Sequence, residues 1–426
     1  MEEDIVAKSV VSISKGTDPE QMIDEALSLL GGVETLIKPN STVVIKPNAG
    51  HPIPPETSAN TSPAFVTAVI KVLRKANPKE IILAEASAIG CDTMESFEVT
   101  GIGRAAKEAG IDRIIDIKQE RDLIKIPIRD ARSDITSVRL PRFLMEADHI
   151  VNMPIFKSHA SMVFTCALKN IKGVVQDKVH YQMHQTNLAE AMMDVWSVIK
   201  ADLNIVDMIR PAEGFGPHST TPVDFGCVVA GKDPVAVDAT ICRMIGLDIR
   251  KVPYFKPARE RGLGNYGEKM IEIRGKQIKD VYKKLWLPYL EGFKAWPGYE
   301  INLEGSCSSC QGLLALTMEK LKAMGEYEKH KGISILVGRK KEIPKGRKLG
   351  KDLILMGDCL KKYRGQGSPF SGGCPPAEPF PLWVILDRKD HTEVGPEFRE
   401  RMGQDEKYWV AYLRELEKKK SSKYKK

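Results

Sequence analysis

Four of the eight cysteines have the sequence context and spacing of metal ligands. Cys307 and Cys310 form a Cys-x-x-Cys pair next to a predicted helix, whereas Cys359 and Cys374 stand singly after a predicted strand. Four thiolates complete the ligand shell of an iron–sulfur cluster or of a structural zinc ion. Zinc sites usually draw their second ligand pair from another close motif, and these two single cysteines are fifteen positions apart. The spacing therefore favours a 4Fe-4S cluster, with zinc, or redox thiols without a metal, as the alternatives.

The residues around these cysteines suit an iron–sulfur ligand set. Cys374 lies in the run Gly-Gly-Cys-Pro-Pro, where glycine lets the backbone approach an inorganic sulfur atom and proline stiffens the loop. The layout of these four cysteines, a Cys-x-x-Cys pair, a single cysteine and a Gly-Cys-Pro-Pro run, resembles the proximal four-iron site of nickel–iron hydrogenase small subunits and of related quinone-reductase subunits. The remaining cysteines lie in apolar or helical sequence and are interpreted as core residues; they are Cys91, Cys166, Cys227 and Cys242.

Lysines, histidines and amides follow several predicted strands in the first half of the chain. Ligands of open α/β sheets bind beyond the carboxyl ends of the strands, so these side chains are expected at one edge of the sheet. Lysine and histidine there would bind an anionic ligand and supply a proton donor or acceptor near neutral pH. The predicted catalytic residues are Lys46, Glu85, His159 and Lys169, and the predicted substrate-binding residues are Asn48, Lys157, Asn170 and Asp207. The histidines that accompany them are His51, His180 and His184.

The roles expected of these residues follow from their chemistry. Lys46 would neutralise negative charge, His159 would act as a general acid or base, and Glu85 would orient one of them. Lys157 and Lys169 would help to hold the anion. The alternative is that these are solvated loop lysines and capping histidines.

Short runs of valine and isoleucine alternate with helical segments from residue 1 to about residue 250. Strands of this kind pair in parallel and are buried on both faces, which predicts a layered α/β domain with a mostly parallel sheet. The predicted strands are residues 5–13, 42–45, 81–84, 114–117, 149–153, 205–208 and 227–230. The predicted helices are residues 63–75, 96–109, 187–200 and 234–245, the last with Asp233 as its N-cap. Residues 48–63 and 157–184 are expected to be loops that wall a binding site.

The sequence changes character near residue 295. We therefore predict an α/β domain over residues 1–295, a smaller α/β metal-cluster-binding domain over 296–410, and a basic, disordered tail over 411–426. Within the smaller domain, residues 313–324 are expected to form a helix, and 333–337 and 353–356 strands.

Composition and charge exclude several classes of protein. The chain has 426 residues, of which 42% are hydrophobic and 28% charged, a balance typical of a soluble globular protein. Its net charge is +8, but five of these charges lie in the last sixteen residues, so no nucleic-acid partner is expected. No apolar stretch is long enough for a membrane span, and the N-terminus is acidic, so we expect a cytoplasmic protein without a membrane partner.

Several common catalytic motifs are absent from the sequence. It contains no GxxxxGK[ST] and no complete dinucleotide fingerprint, which disfavours the usual ATP and NAD sites. It also lacks HExxH, GxSxG and the protein-kinase signatures.

The motifs of the first domain together resemble the domain of unknown function 362 (DUF362) family, over about residues 40 to 250. They comprise Lys46-Pro-Asn48, Thr61-Ser-Pro63, Glu85, Phe156-Lys-Ser-His159, Ala167-Leu-Lys-Asn170 with Gly173, Ile205-Val-Asp207, Gly214 to Pro217 and Asp233 to Asp238. The resemblance implies iron–sulfur binding, although the family's usual CxxCxxCxxxCP run is replaced here by dispersed cysteines. A looser similarity links the His159, Lys169 and Gly173 segment to nickel-pincer lactate racemases.

The leading hypothesis is an iron–sulfur oxidoreductase or electron-transfer protein that acts on a small anionic substrate. The alternatives are a non-redox lyase or isomerase, with hydride chemistry like that of the nickel-pincer racemases included, and a binding protein with a structural zinc ion. A redox partner protein and a homodimer are the expected macromolecular associations.

Overall fold

The structure is a computed structural model that describes residues 8–287, 296–338, 342–343, 346–376 and 379–395. The chain divides into two compact units, Met1–Leu290 and Glu291–Lys426. The predicted boundary at residue 295 is close to this division, and the functions assigned to the two domains stay predictions. The predicted tail, 411–426, and the start of the first predicted strand lie outside the described residues.

The first unit is built on an 11-stranded sheet and a separate two-stranded hairpin. The strands of the sheet are β1 (Ser9–Lys15), β2 (Thr42–Pro47), β3 (Glu80–Glu85), β4 (Arg113–Asp116), β7 (His149–Met153), β8 (Ile155–His159), β9 (Val163–Thr165), β10 (Leu203–Phe215), β11 (Ser219–Pro222), β12 (Cys227–Gly231) and β13 (Ile271–Gly275). The hairpin consists of β5 (Leu123–Pro127) and β6 (Ser137–Pro141).

The main path of the sheet follows the order β13-β1-β12-β10-β7-β2-β3-β4. The strands from β10 to β4 pair in parallel, whereas β12 pairs antiparallel with both β1 and β10. Val44 packs into one hydrophobic cluster, and its neighbours Val43 and Ile45 pack into another on the opposite face. Burial of both faces explains the continuous Val/Ile runs. The predicted α/β class with a mostly parallel sheet is confirmed.

Helices cover both faces of this sheet. They are α1 (Pro19–Ser28), α2 (Val33–Leu36), α3 (Pro63–Arg74), α4 (Thr93–Val99), α5 (Ile102–Glu108), α6 (Arg142–Glu146), α7 (Ala167–Asn170), α8 (Asp177–Gln185), α9 (Leu188–Trp196), α10 (Pro234–Met244), α11 (Phe255–Glu260) and α12 (Ile278–Val281). The Asp233 side chain accepts hydrogen bonds from Val235 and Ala236 N–H at the start of α10, which confirms the predicted N-cap.

Two predicted elements were wrong. The helix predicted over residues 96–109 is two helices, because Gly101 adopts a left-handed φ of 74° and starts α5 anew. The segment 157–184, predicted to be a loop, contains the β8–β9 hairpin, α7, a 3-10 turn at Ile171–Val174 and α8. Its polar residues obscure the helical periodicity, since several of them are buried.

The second unit has a four-stranded parallel sheet in the order β14-β15-β16-β17. Its elements are β14 (Glu300–Asn302), α13 (Ser308–Ala323), β15 (Ser334–Val337), β16 (Leu353–Met356), β17 (Phe370–Ser371) and α14 (Pro379–Asp387). Leu336, Leu355 and Phe370 belong to a small apolar core under this sheet. Across the described parts of both units, no helix has the length and apolarity that crossing a membrane requires.

Candidate functional site

A buried ion pair lies at the carboxyl ends of β2 and β3. The ammonium group of Lys46 is 2.9 Å from the Glu85 carboxylate, and both side chains are at most 2% exposed. Backbone N–H groups of Ala49 and Ala86 also donate to this carboxylate, at 3.1 and 2.9 Å. Burial lowers the pKa of Lys46 and raises that of Glu85, and the attraction between the two charges opposes both shifts. The structure thus brings Lys46 and Glu85 together, while their catalytic roles stay predictions.

Gly173 lies directly against this ion pair. A Cβ atom built on it would be 2.0 Å from Glu85 Oε1 and 2.6 Å from Lys46 Nζ. The Gly173 carbonyl group accepts a hydrogen bond from Ala86 N–H at 2.9 Å, which holds the backbone there. Only glycine allows this approach without displacing the ion pair.

Four asparagines, Asn48, Asn170, Asn152 and Asn204, form a chain of hydrogen bonds across the sheet beside the ion pair. We call this chain the asparagine ladder. Each side-chain N–H group donates to the next amide oxygen: Asn48 to Asn170 (2.9 Å), Asn170 to Asn152 (2.8 Å) and Asn152 to Asn204 (2.9 Å). Asn204 donates to the Gly231 carbonyl group at 3.2 Å. At the other end, the buried Oδ1 of Asn48 has no hydrogen-bond partner.

The sequence analysis missed two members of this ladder, Asn152 and Asn204. A signal was present, because each interrupts an apolar strand and buried amides must be hydrogen-bonded.

Helix α7 carries Lys169 and Asn170, and a buried carboxylate holds its N-terminus. Asp238 of α10 accepts hydrogen bonds from the Ala167 and Leu168 N–H groups at 2.8 and 3.1 Å, and from the Tyr254 hydroxyl at 3.3 Å. Burial raises the pKa of Asp238 to about 7. Asp238 was not among the predicted site residues, since its sequence position indicates only a helix interior. It acts as a positioning residue for α7.

Lys157 and Lys169 are two lysines whose charged form is destabilised by burial. Lys157, on β8, is 2% exposed and donates to the Ala59 carbonyl group. Burial, and then the nearby Lys169 charge, lower the pKa of Lys157 to about 7. Burial, and then Lys46, lower the pKa of Lys169 to about 8. Both lysines therefore titrate near neutral pH.

Three histidines surround these lysines. The Ser161 N–H group donates to His159 Nδ1 at 3.0 Å, so the neutral ring carries its proton on Nε2. Burial and the charges of Lys169 and Lys157 hold the pKa of His159 well below its usual value. On α8, His184 Nε2 contacts the ammonium group of Lys172 at 2.5 Å, and His180 Nε2 contacts the Lys172 carbonyl oxygen at 2.5 Å. We call Lys157, Lys169, Lys172, His159 and His184 the lysine–histidine cluster.

His51 and Asp207 make different contacts. His51 Nε2 lies 2.6 Å from His218 Nε2, and burial is the main cause that keeps the pKa of His51 well below its usual value. The Asp207 carboxylate accepts hydrogen bonds from the Ser62 and Ile209 N–H groups, both at 3.1 Å, and burial raises its pKa to about 6. These contacts hold Asp207 against the start of α3.

The second unit brings the four predicted cysteine ligands together. Cys307 precedes α13, Cys310 lies in its first turn, Cys359 lies in the 3-10 turn Asp358–Tyr363, and Cys374 follows β17. A hydrogen bond with Cys307, burial, and charge repulsion from Cys307, Cys374 and Cys359 raise the pKa of the Cys310 thiol. The four side chains therefore share one electrostatic environment.

Backbone contacts connect the loops that carry Cys359 and Cys374. Asp358 N–H donates to the Gly373 carbonyl group at 3.0 Å and Gly373 N–H donates to Asp358 Oδ1 at 2.8 Å, which joins the two cysteine loops. A Cβ atom on Gly357 would lie 3.5 Å from the Cys310 sulfur. Four thiols are the donor type that an iron–sulfur cluster requires.

Within the described ranges, no three His, Cys, Asp or Glu side chains are placed to hold a single metal ion. None of the eight cysteines forms a disulfide bond. The metal assignment thus stays a prediction.

A comparison with protein families finds a match within the first unit. Residues 43–243 match the DUF362 family, a domain of unknown function. The resemblance drawn from the sequence motifs is confirmed over these residues. The DUF362 segment contains the ion pair, the asparagine ladder and the lysine–histidine cluster, and all four predicted cysteine ligands lie outside it.

One relative and two solved structures are similar to the chain. The relative is a thylakoid-associated protein of Synechocystis sp., 27% identical over 248 residues, which cover 56% of this chain and 73% of that protein. A Thermotoga maritima protein has a TM-score of 0.33 and 18% identity, covering 52% of this chain and 57% of its own. The lactate racemase apoprotein of Thermoanaerobacterium thermosaccharolyticum has a TM-score of 0.37 and 13% identity, covering 57% and 58%. The chain spans less than two thirds of either solved structure, and similarity this low supports no inference about function.

Proposed function

We propose that the DUF362 unit binds a small anionic substrate at the lysine–histidine cluster. Lys157, Lys169 and Lys172 gather positive charge around His159, and among the described residues no carboxylate forms an ion pair with any of the three. Burial raises the free energy of each charged lysine, and an anion would recover part of that cost. Lys46 differs, because Glu85 already balances its charge.

Proton transfer to and from the substrate would use His159 and Lys157. The neutral His159 ring directs an Nε2 proton away from the Ser161 backbone, so it can donate a hydrogen bond to a substrate oxygen. Lys157 has a pKa of about 7 and can therefore both give and accept a proton near neutral pH. Asp238 fixes α7, and through it the position of Lys169 and Asn170.

We further propose that Cys307, Cys310, Cys359 and Cys374 hold a 4Fe-4S cluster. Such a cluster, when bound, supplies one-electron transfer. Together with the anion site, this makes the protein an iron–sulfur oxidoreductase or electron-transfer protein, working with a redox partner protein. The observation that carries the proposal is the approach of Cys359 and Cys374, both distant in sequence, to the Cys307/Cys310 pair.

Metal analysis of anaerobically purified protein tests this proposal. We expect about four irons and about four sulfides per chain, with an electron paramagnetic resonance signal after reduction. A colourless protein with about one zinc ion and no sulfide would contradict the cluster and support a binding protein with a structural zinc.

A second candidate function is a non-redox lyase or isomerase. The observation that favours it is the pair of lysines with pKa values of about 7 and 8 beside His159. These groups can transfer protons near neutral pH, and such a reaction needs no electron transfer. An activity that persists in the Cys374→Ala variant, after the metal has been lost, would favour this candidate over the oxidoreductase.

A further inference from the structure

Lys169 differs from the other buried or half-buried lysines of the site in lacking a partner. Lys46 is paired with Glu85, Lys157 donates to the Ala59 carbonyl group, and Lys172 contacts His184. In the described part of the chain, the Lys169 ammonium group has neither a hydrogen bond nor an ion pair. It is also partly accessible, whereas Lys46 and Lys157 are at most 2% exposed. The Lys169 amine is therefore positioned for a ligand and not for a contact within the protein.

The surroundings of Lys169 favour its neutral, nucleophilic form. Burial and the positive charge of Lys46 destabilise the ammonium form, so the pKa of Lys169 is about 8. A lysine that is desolvated next to another cation is the usual arrangement of an imine-forming residue. Lys157 and Lys172 lie close enough to feel the Lys169 charge, and their side chains can donate hydrogen bonds to a carboxylate of the same substrate.

We propose that Lys169 forms a covalent imine with a small 2-oxo acid, with the substrate carboxylate held by the neighbouring cations. This inference rests on the proposed function, since it takes the lysine–histidine cluster as the substrate site. It adds that the substrate carries a carbonyl group next to its carboxylate.

The proposed step balances without an oxidant or a reductant. The neutral Lys169 Nζ adds to the carbonyl carbon, and the electron pair of the C=O π bond moves to the oxygen, which takes up a proton. The nitrogen releases one proton to give a carbinolamine. The C–O bond then breaks as water leaves with a second proton, and the nitrogen lone pair completes the C=N bond. His159 Nε2–H and the Lys157 ammonium group are the proton donors that surround Lys169.

Helix α7 is held in a manner that suits this task. Asp238 accepts hydrogen bonds from its first N–H groups, and Asn170 is fixed to the ends of β2 and β7 through the Pro47 carbonyl group and Asn152. The backbone on either side of Lys169 is thus anchored, so its side chain is the movable part. Fixed positioning of a nucleophile lowers the entropic cost of the addition.

Reductive trapping tests the inference on the full-length holoprotein. The protein is incubated with pyruvate or glyoxylate and sodium cyanoborohydride, digested, and mapped by mass spectrometry. We expect a mass gain of one probe molecule less one oxygen atom on the peptide that contains Lys169, and none with propionate, which has no carbonyl group. Lys169→Arg keeps the charge but cannot form an imine, and should lower the trapped amount at least about tenfold. Lys232→Arg, at an exposed lysine of the same unit, should trap as much as the wild type.

The outcomes separate this inference from the proposed function. Labelling spread over many lysines, or labelling unchanged in Lys169→Arg, overturns the imine. Pyruvate binding in calorimetry without a trapped adduct also overturns the imine and leaves the anion site standing. Absence of binding for pyruvate, glyoxylate and sulfate alike overturns both. If Lys169→Arg does not fold, the position of the label in the wild-type peptide map decides.

Discussion

The lysine–histidine cluster and the four-cysteine group each bring similar side chains together, but the resulting pKa shifts have opposite directions. In the first unit, the Lys169 charge lowers the pKa of Lys157 and of Lys172, whereas in the second unit Cys307, Cys359 and Cys374 raise the pKa of Cys310. Both arrangements cost free energy in the protein alone. Basic and thiol groups suit different ligands, and we propose an anion for the first group and metal ions for the second.

The ion pair of Lys46 and Glu85 provides the internal reference for this comparison. Lys46 and Glu85 are at most 2% exposed, and their charges balance within the chain. The first unit thus contains one buried lysine that is paired with a carboxylate and a separate group of lysines without such an ion pair among the described residues.

Removal of a cysteine should have the largest effect. We expect Cys374→Ala to lose nearly all bound iron and sulfide, because a four-iron cluster rarely survives the loss of one of its ligands. Cys91→Ala, at a half-buried cysteine of the first unit, is the matched control and should keep its iron content. Equal iron in both variants, measured by elemental analysis, would contradict the assignment of the second unit.

Breaking the ion pair should destabilise the first unit strongly. Glu85→Gln leaves a buried lysine uncompensated, and we expect the free energy of unfolding to fall by roughly 3–5 kcal/mol. Glu80→Gln, on the same strand, should cost less than about 1 kcal/mol, because its partner Arg113 is half exposed. Denaturant titration measures both. A double variant, Lys46→Met with Glu85→Leu, should recover much of the loss.

Removal of Lys169 should change the free energy of unfolding in the opposite direction. At pH 7, Lys169→Met should raise the free energy of unfolding by roughly 1–3 kcal/mol, because the buried charge has no compensation. The folded-state pKa of Lys169 is below its unfolded value, so the wild type gains stability as the pH rises above about 8. The advantage of the variant should therefore shrink between pH 8 and about pH 10. A variant less stable than Lys232→Met at pH 7 would show that Lys169 is a structural residue.

Anion affinity should follow the charge of the same lysines. A lysine is charged below its pKa and neutral above it, so sulfate binding should be strongest below the pKa values of about 7 and 8 of Lys157 and Lys169. We expect the Kd for sulfate to rise about tenfold between about pH 6 and about pH 9, as measured by calorimetry. Lys157→Arg, which stays charged, should flatten this dependence. A pH-independent Kd in the wild type would mean that sulfate binds elsewhere.

The sequence predicted local elements better than their arrangement. The helix predicted over residues 63–75 is observed at Pro63–Arg74, and the strand at 149–153 is observed as predicted. The Ser-Pro capping sequence predicts the start of the helix, and a run of mainly apolar residues predicts the strand. The strand order places β12 antiparallel between β1 and β10, and the pairing of β12 with β1 joins residues more than 200 positions apart. No local pattern encodes such contacts.

The same limit applies to the site. Residues at strand ends, such as Lys46 and Glu85, could be found because the carboxyl ends of parallel strands share an edge. The hydrogen bonds of Asp238 to α7 could not, since they join segments about 70 residues apart. Nor does the sequence show that Lys157 donates a hydrogen bond to the Ala59 carbonyl group, while Lys169 has no hydrogen bond or ion pair with the described residues.

The asparagine ladder has a direction, since all four amides donate toward β12, and Asn170, Asn152 and Asn204 each accept from the preceding amide. Carbonyl groups of the backbone fix this polarity, because Asn204 points its N–H atoms at Gly231, and an amide oxygen there would face another oxygen. One amide cannot rotate without forcing the next to follow. The orientation of the Asn48 amide at the near end is thus fixed by the Gly231 carbonyl group at the far end. A small molecule that contacted the Asn48 oxygen would have to donate a hydrogen bond from an N–H or O–H group.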